Sequence, residues 1–386
     1  MTGTVHRGVR RLRIGAVGLW LLTVTGCTTT GVPPPTAQQP VTSSTPSTST
    51  TPQPDPETST TLRQPVLIAV AGDVHFEGVL ADRLRDPGTA LAPAAAALAA
   101  ADLAIVNLET SVGTGGAPEP GKRYTFSAGR EAFTALSAAG IDVATMANNH
   151  ALDYGRARLP STLRASRAVG DSDPPLAVVG IGRDEDEAFA PALTEIDGTT
   201  VATLAASLAD QDPTADPTGA WAAGATKPGI AEATDPSRLL EELRRADTVA
   251  DVVVVYLHWG IQGESCPSAD QRRIAADLVA AGADVVVGTH AHQLQGDGRL
   301  GRGYVAYGLG NFAWYAPGTG ATSRTGVLTL TVRPPVERRG RARVVRAVWQ
   351  PAVIGPSGLA IPVAAGVADG FRARRQDLRG CAGLGS

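Results

Sequence analysis

Cysteine is scarce in this chain, and the three cysteines among its 386 residues are Cys27, Cys266 and Cys381. This scarcity argues against a zinc finger or a copper(I) site, because both depend on thiolate ligands. In an exported protein two cysteines can pair, and a bridge between Cys266 and Cys381 would fasten the C-terminal tail near the loop after His258. The sequence leaves open whether these two cysteines pair or remain separate thiols.

The chain also lacks an excess of one charge and a long apolar run. Its formal net charge is −3, and its Lys and Arg residues are scattered without a basic stripe. We therefore expect no nucleic-acid partner. Beyond the N-terminal segment, no apolar run approaches the roughly 20 residues that a membrane-spanning helix needs.

Residues 1–27 have the organisation of a secretory signal, with a basic stretch, an apolar run from Ile14 to Val24, and small residues before Cys27. The last part resembles a bacterial lipobox, which predicts that Cys27 is lipidated and anchors the protein on the extracytoplasmic face of the cell membrane. The alternative is an ordinary secretory signal with an incidental cysteine. Residues 28–64 are mostly Ser, Thr and Pro, a composition that predicts a disordered tether.

Residues 65–386 predict one α/β domain, because strand-like and helix-like segments alternate over most of its length. The predicted helices cover residues 91–101, 126–140, 236–246 and 268–281, and each leads into an apolar run typical of a buried strand. After about residue 300, apolar and polar residues alternate and no helical pattern separates the runs. This change predicts an antiparallel section that closes a second sheet, so we expect two packed sheets flanked by helices.

The histidines that follow the leader all lie at or just beyond the ends of predicted strands; they are His75, His150, His258, His290 and His292. Ligands of α/β sheets gather outside the carboxyl ends of the strands, and imidazole is the commonest metal ligand. Asp73, Glu109 and Asn149 stand beside these histidines. For any one histidine a hydrogen-bonded structural role is the alternative, whereas the whole set predicts a metal centre.

The predicted ligands offer imidazole nitrogen together with carboxylate and amide oxygen, a combination that suits zinc, manganese or iron. They are too numerous for one tetrahedral ion. We therefore expect two divalent ions bridged by a carboxylate, an arrangement that clamps the attacking and leaving oxygens of a displacement.

A more specific resemblance is carried by six segments, AGDVHFEG (71–78), VNLETSV (106–112), ANNHALDYG (147–155), HWG (258–260), GTHAHQLQG (288–296) and YGLGNF (307–312). In this order and spacing they resemble the CapA family, poly-γ-glutamate capsule synthesis proteins with a calcineurin-like metallophosphoesterase fold. The resemblance spans about residues 66–320. It implies an α/β fold in the form of a four-layer αββα sandwich.

The resemblance also implies a role for each site residue. The metal ligands it implies are Asp73, His75 and His292 for the first ion, and Asn149, His258 and His290 for the second. Glu109 would replace the superfamily's bridging aspartate, with Asn107 as the weaker alternative. His150 would be the general acid, oriented by Asp153; the alternative is that His150 only hydrogen-bonds a loop.

The sequence departs from the family pattern at three points. Glu109 is one methylene longer than the usual aspartate, Ala151 stands where an acidic residue usually follows the acid histidine, and His75 replaces the apolar residue of many CapA members. The retained ligands favour a metal-dependent hydrolase that acts on a phosphoester or a polymer bond at the cell surface. The alternative is a non-catalytic surface protein that supports export or attachment of a capsule polymer. The loop 210–227, with Trp221, is expected to shape a substrate cleft.

Overall fold

A computed structural model of the chain describes residues 11–14, 63–214, 218–315, 320–336 and 340–385. The described residues all belong to one compact unit. The predicted signal peptide, Cys27 and the tether lie outside the described residues, apart from residues 11–14 and the last two tether residues, 63 and 64.

The strands of the described residues are, in chain order, β1 (Arg11–Ile14), β2 (Val66–Val74), β3 (Leu103–Leu108), β4 (Ser111–Val112), β5 (Ser127–Ala128), β6 (Val143–Thr145), β7 (Ala177–Val179), β8 (Ile181–Gly182), β9 (Ala192–Ile196), β10 (Thr199–Ser207), β11 (Gly229–Ile230), β12 (Val252–Trp259), β13 (Val285–His290), β14 (Asp297–Leu300), β15 (Gly303–Ala306), β16 (Asn311–Ala313), β17 (Arg324–Arg333), β18 (Arg343–Ile354) and β19 (Ala360–Pro362). The α-helices are α1 (Ala96–Ala99), α2 (Glu131–Ala138), α3 (Leu159–Gly170), α4 (Glu185–Phe189), α5 (Ser237–Val249), α6 (Ala269–Ala281) and α7 (Ala365–Ala382). Short 3₁₀ helices cover Gly78–Arg85, Ala209–Gln211 and Ala321–Ser323.

Two large sheets form the centre of the molecule. Sheet A has the strand order β1-β9-β10-β12-β13-β15-β14, and sheet B has the order β19-β18-β17-β2-β3-β6-β7, with β16 also paired to β2. Strands β10, β12, β13 and β15 of sheet A are parallel, as are β2, β3, β6 and β7 of sheet B. Strands β17 to β19 are antiparallel and complete sheet B, which confirms the predicted closing section.

The burial pattern of β2 shows how the layers stack. Ile68 and Val70 belong to an apolar cluster shared with sheet A, whereas Ala69 and Ala71 belong to a second cluster with α2 and α3. Helices α5 and α6 contribute to the first cluster from the outer side of sheet A. The Tyr256 hydroxyl donates to the Ala71 carbonyl at 2.7 Å and joins the two sheets. The predicted αββα order is therefore confirmed.

A repeated aspartate fixes the register of the parallel strands. Four aspartates each stand directly before a strand: Asp102, Asp142, Asp251 and Asp284. A carboxylate oxygen of each accepts the N–H of the second residue of the neighbouring strand at 2.8–2.9 Å. The pairs are Asp102 with Leu67, Asp142 with Ala104, Asp251 with Thr200 and Asp284 with Val253. Because this contact aligns the amino ends of neighbouring strands, it also brings their carboxyl ends to one edge.

The helices differ from the sequence prediction at their beginnings. Helix α1 has four residues instead of the predicted 91–101, because Pro93 lacks the N–H that a continuous helix needs. Helix α2 begins five residues after the predicted start at 126, because the preceding residues form β5 and pair with β4. Helix α6 agrees with the prediction, and Ser268 caps it through a reciprocal contact with Gln271.

The C-terminal helix α7 was not predicted, because its sequence carries several arginines and glycines and no clear apolar stripe. It is held by side-chain contacts and a covalent bond: Arg375 Nε donates to Asp297 Oδ1 at 2.6 Å, and Cys266 is bonded to Cys381 with the Cα atoms 5.7 Å apart. None of the helices in the described part of the chain has the length and apolar character needed to cross a bilayer.

Candidate metal centre

The carboxyl ends of strands from both sheets meet at one edge of the sandwich. The residues they place there are Asp73 in β2, Glu109 after β3, Asn149 and His150 after β6, His258 in β12, His290 at the end of β13 and His292 just beyond it. The structure therefore brings together all the predicted metal ligands except His75.

One group of ligand atoms lies between β3 and sheet A. Ligand atoms of Glu109, His258 and His290 all lie within 4.8 Å of one another. Asn149 Oδ1 is 2.7 Å from His258 Nε2, and His290 Nδ1 is 3.0 Å from the same nitrogen. These four side chains are buried and point to a common space, so together they have the composition of a site for one divalent cation.

A second group shares the same glutamate. Ligand atoms of Asp73, Glu109 and His292 lie within 4.8 Å of one another. Asn107 is not part of this group, because its Nδ2 donates to Asp73 Oδ1 at 2.8 Å and its Oδ1 accepts from Thr145 Oγ1 at 3.1 Å. Asn107 thus holds a ligand in place, and Glu109 is the residue that both groups share.

The environment of Glu109 fits a bound cation. Both of its carboxylate oxygens are buried, and neither accepts a hydrogen bond from the described residues. The nearest basic atoms around Oε1 are His258 Nε2 at 3.5 Å and His150 Nε2 at 3.8 Å. Burial raises the pKa of Glu109 well above its usual value, and the charge of Asp73 raises it further. A buried carboxylate without donors is costly, and Glu109, as a member of both groups of candidate ligands, would be satisfied by bound divalent cations.

The neighbouring ligands are electrostatically linked. Burial alone would raise the pKa of Asp73, but the hydrogen bond from His292 and the charges of His258 and His292 lower it to about 2. Burial would lower the pKa of His292, but the charge of Glu109 and the contact with Asp73 raise it to about 9. The space between these groups therefore favours positive charge.

His75 lies outside both groups. Its ring stacks on Phe126 with the ring centroids 4.7 Å apart, and Trp314 meets it edge-on at 4.3 Å. The backbone N–H groups of Glu77 and Tyr315 lie 3.0 and 3.2 Å from its two ring nitrogens. Both nitrogens thus face the main chain, and the predicted role of His75 as a ligand stays a prediction without support from this geometry.

His150 and Asp153 form a buried pair beside the metal groups. His150 Nδ1 is 2.6 Å from Asp153 Oδ2, and because an ionised carboxylate only accepts hydrogen bonds, Nδ1 carries a proton. This leaves Nε2 directed toward Glu109. The ring stacks on Phe126 with the centroids 4.0 Å apart. The geometry has the form expected of an oriented acid–base histidine.

Two functional residues were missed by the sequence analysis. Lys122 Nζ lies 2.5 Å from Asp153 Oδ1 and also donates to the Asn149 carbonyl, and its side chain is 2% exposed. Asp212 Oδ2 lies 3.3 Å from His290 Nε2. Both residues sit on loops without a recognisable motif. Trp221 is buried and lies beneath the Lys122 ammonium group, and the expected part of loop 210–227 in a substrate cleft stays a prediction.

The backbone at the end of β13 is strained. His290 and His292 have φ angles of 85° and 52°, in a region that side-chain-bearing residues rarely adopt. Two glycines allow the close approach of chains beside them: a Cβ on Gly72 would lie 1.8 Å from the Gly310 carbonyl oxygen, and a Cβ on Gly288 would lie 2.0 Å from Trp259 Nε1. Strain of this kind is found at functional sites, where the surrounding contacts maintain it.

The model of the family described as bacterial capsule synthesis protein PGA_cap matches residues 67–315. The chain belongs to this family. The match includes Asp73, Glu109, His150 and all the other metal-group residues, and it confirms the CapA resemblance seen in the sequence motifs.

Individual PGA_cap relatives are similar over about half of this chain. The capsule biosynthesis protein CapA of Bacillus anthracis is 33% identical over 50% of this chain and 45% of its own length. The PGA biosynthesis protein CapA of Bacillus subtilis (strain 168) is 31% identical over 50% of this chain and 48% of its own length. The chain therefore spans about half the length of these curated relatives.

Solved structures with a similar course of the chain include a novel phosphatase of Mycoplasma pneumoniae and a 5′-nucleotidase of Candida albicans. The first is 14% identical, with a TM-score of 0.45, and covers 76% of this chain and 95% of its own. The second is 11% identical, with a TM-score of 0.39, and covers 82% of this chain and 59% of its own. Both are too distant to assign an activity to this PGA_cap protein.

Proposed function

We propose that this PGA_cap protein acts in the synthesis of a capsule or other cell-surface polymer, and that it does so as a metal-dependent hydrolase of a phosphoester or polymer bond. The observation that supports hydrolysis is the position of Glu109, a buried carboxylate without hydrogen-bond donors that is shared by two groups of metal-ligand side chains. The family and its Bacillus relatives support the role in polymer synthesis.

Each residue group has a distinct task in this proposal. Two divalent ions, of zinc, manganese or iron, would be held by the two groups and would supply Lewis-acid stabilisation of the charge that develops on the reacting oxygens. His150 would act in its doubly protonated form, with the Nδ1–H held by Asp153, and would donate the Nε2 proton to the leaving oxygen, which leaves a neutral ring protonated at Nδ1. Phe126 stacks on His150 and excludes water from one face of the ring.

The proposal places the protein outside the cytoplasm. Export through the N-terminal signal and lipidation at Cys27 would hold the domain at the membrane surface, where a polymer is assembled. The bond between Cys266 and Cys381 supports this location, because disulfides persist in oxidising compartments.

Metal content and hydrolysis of bis(4-nitrophenyl) phosphate, measured on the full chain exported to an oxidising compartment and purified without chelator, test this function. We expect near two ions per chain in the wild type and in His150→Ala, and a clear loss in His258→Ala. We expect the hydrolysis rate of His150→Ala to fall by about 10²-fold or more, on the usual scale of acid–base catalysis.

His150→Ala is the matched control for His258→Ala, because both remove an imidazole from the same buried edge but only His258 lies in a metal group. A folded wild-type protein without metal would contradict the hydrolase function and favour a non-catalytic polymer scaffold. Equal rates in wild type and His150→Ala would remove the acid role of His150.

A further inference from the structure

A cavity lies at the side of the sandwich that α7 covers, and its lining includes Gln293, the residue after His292. It has a volume of about 410 Å³, and its lining residues come from β14, β15 and β17, from β18 and from α7. Protein interiors contain few voids larger than a water molecule, whereas ligand sites have volumes of about 300–1,000 Å³. The size of this cavity is therefore that of a small-molecule site.

The deeper lining of the cavity is apolar. Leu309 and Leu328 are buried, and Trp349 and Phe371 add aromatic surface from β18 and α7. Gln293 also lines the cavity; it is 7% exposed, and its side-chain amide makes no hydrogen bond to the described residues. Apolar cavities of this size take up hydrocarbon in preference to water.

The rim of the cavity carries positive charge that the described residues do not neutralise. Arg324 and Arg374 are exposed, and neither forms an ion pair or hydrogen bond with the described part of the chain, whereas Asp377 is the one unpaired acidic residue in the lining. Other arginines of α7 are paired: Arg372 with Asp369 and Arg375 with Asp297. Among the arginines of α7, Arg374 is thus the one without a partner in the described part of the chain, and it lines the cavity.

The wall formed by α7 is fixed in place. Arg375 bonds to Asp297, whose carboxylate also accepts from the Tyr304 hydroxyl, and Arg379 Nε donates to the Asp297 carbonyl at 2.7 Å. The bond between Cys266 and Cys381 holds the end of the helix. A ligand would therefore meet a preformed site, which lowers the entropic cost of binding.

We propose that this cavity binds an anionic amphiphile with a single hydrocarbon chain, the chain lying between α7 and the two sheets and the anionic group lying at Arg324 and Arg374. A carboxylate or a phosphate could be the anionic group, because the guanidinium groups of Arg324 and Arg374 can bind both. None of the residues that line this cavity belongs to either group of candidate metal ligands, and binding there does not depend on the hydrolase function.

Binding of decanoate, decyl phosphate and uncharged decanol to the full-length protein tests the proposal, with isothermal titration and Trp349 fluorescence as readouts. We expect saturable binding of at least one anionic probe, at least tenfold tighter than decanol. Tighter binding of decanoate would identify the ligand class as a fatty acid, and tighter binding of decyl phosphate would identify it as a phosphorylated lipid. Trp349→Phe should abolish the fluorescence change on binding, while the heat of binding should stay the same as in the wild type.

Variants locate the site. Ala373→Trp, which adds bulk at an exposed lining position of α7, and Arg374→Glu should each weaken the anionic probe at least tenfold. Arg372→Glu is the matched control, because Arg372 lies on the same helix but does not line the cavity, and it should bind as the wild type does. His258→Ala should also bind normally.

Two outcomes would overturn the proposal. The first is the absence of saturable binding by all three probes. The second is binding that Ala373→Trp and Arg374→Glu leave unchanged, since the probe would then occupy another place; loss in His258→Ala alone would identify that place as the metal centre.

Discussion

At the scale of single residues, the candidate metal centre is surrounded by side chains that would not be ligands themselves but contact the candidate ligands. Asp212 illustrates this, since its Oδ2 lies 3.3 Å from His290 Nε2 and also accepts the Gln262 N–H at 2.9 Å. A carboxylate this close to Nε2 favours a proton on that nitrogen and so leaves Nδ1 of His290 to face the other candidate ligands. Lys122 plays a comparable part by contacting both Asp153 and the Asn149 carbonyl.

We predict that Asp212→Asn weakens zinc binding by about 10–100-fold, the usual effect of losing a carboxylate behind a metal-binding histidine. The measurement is zinc competition with a chromophoric chelator. Asp210→Asn is the control, because Asp210 belongs to the same loop but bonds to Thr218 instead of a histidine. Equal zinc affinity in wild type and Asp212→Asn would contradict the role assigned to Asp212.

At the scale of the elements, strand alignment places the ligands. The aspartates that precede β3, β6, β12 and β13 hold the amino end of a neighbouring strand. Asp284 has a distinctive position among them, because burial raises its pKa to about 7 although the Val253 N–H lowers it. In an unfolded chain the pKa of this carboxyl is near 3.9.

We therefore predict a pH-dependent contribution of Asp284 to stability. The folded state holds this proton more tightly than the unfolded state, so the free energy of unfolding falls as the pH rises from about 4 to about 7. Asp284→Asn removes the titration and should gain about 2–3 kcal/mol relative to wild type between pH 5 and pH 8. Urea denaturation at both pH values measures the difference.

Asp102→Asn is the matched control for Asp284→Asn, because Asp102 holds the N–H of Leu67 in the same way but is partly exposed. The same pH-dependent gain in both variants, or no gain in Asp284→Asn, would contradict the assignment of the effect to a buried carboxylate.

At the scale of the whole molecule, the C-terminal helix is fastened to sheet A by contacts distant in sequence. Cys266 and Cys381 are separated by 115 positions, and their bond closes a long loop of the unfolded chain. Arg375 and Arg379 both reach Asp297 at the start of β14. The helix therefore depends on tertiary contacts more than on its own sequence.

We predict that Cys266→Ser combined with Cys381→Ser lowers the free energy of unfolding by about 2–4 kcal/mol, the usual value for a disulfide that closes a long loop. Urea denaturation under non-reducing conditions measures it. Limited proteolysis should cleave the variant first near α7. Wild-type protein treated with reductant serves as control and should behave like the double variant; an unchanged midpoint in both would show that the bond contributes little.

Much of the fold was predictable because its signals are local. Apolar runs such as Val252–Trp259 identify buried strands wherever they stand, and Ser268 marks the start of α6 through its cap. Helix boundaries were less predictable where residues of a predicted helix pair with a strand instead. The start of the predicted helix 126–140 forms β5, which pairs with β4, so α2 begins only at Glu131. Helix α7 was missed because its stability comes from the disulfide and from Asp297, which lie far away in the sequence.

The sequence by itself determined the strand–helix alternation, the family, and the placing of histidines and carboxylates at strand ends, because each of these depends on residue type and short spacing. Only the tertiary structure decided which of these side chains meet. It brought Glu109 between two ligand groups, turned His75 toward backbone N–H groups and an aromatic cage, and recruited Lys122 and Asp212 from distant loops. The physical reason is that side-chain direction and loop approach depend on the packing of the two sheets, which no local pattern encodes.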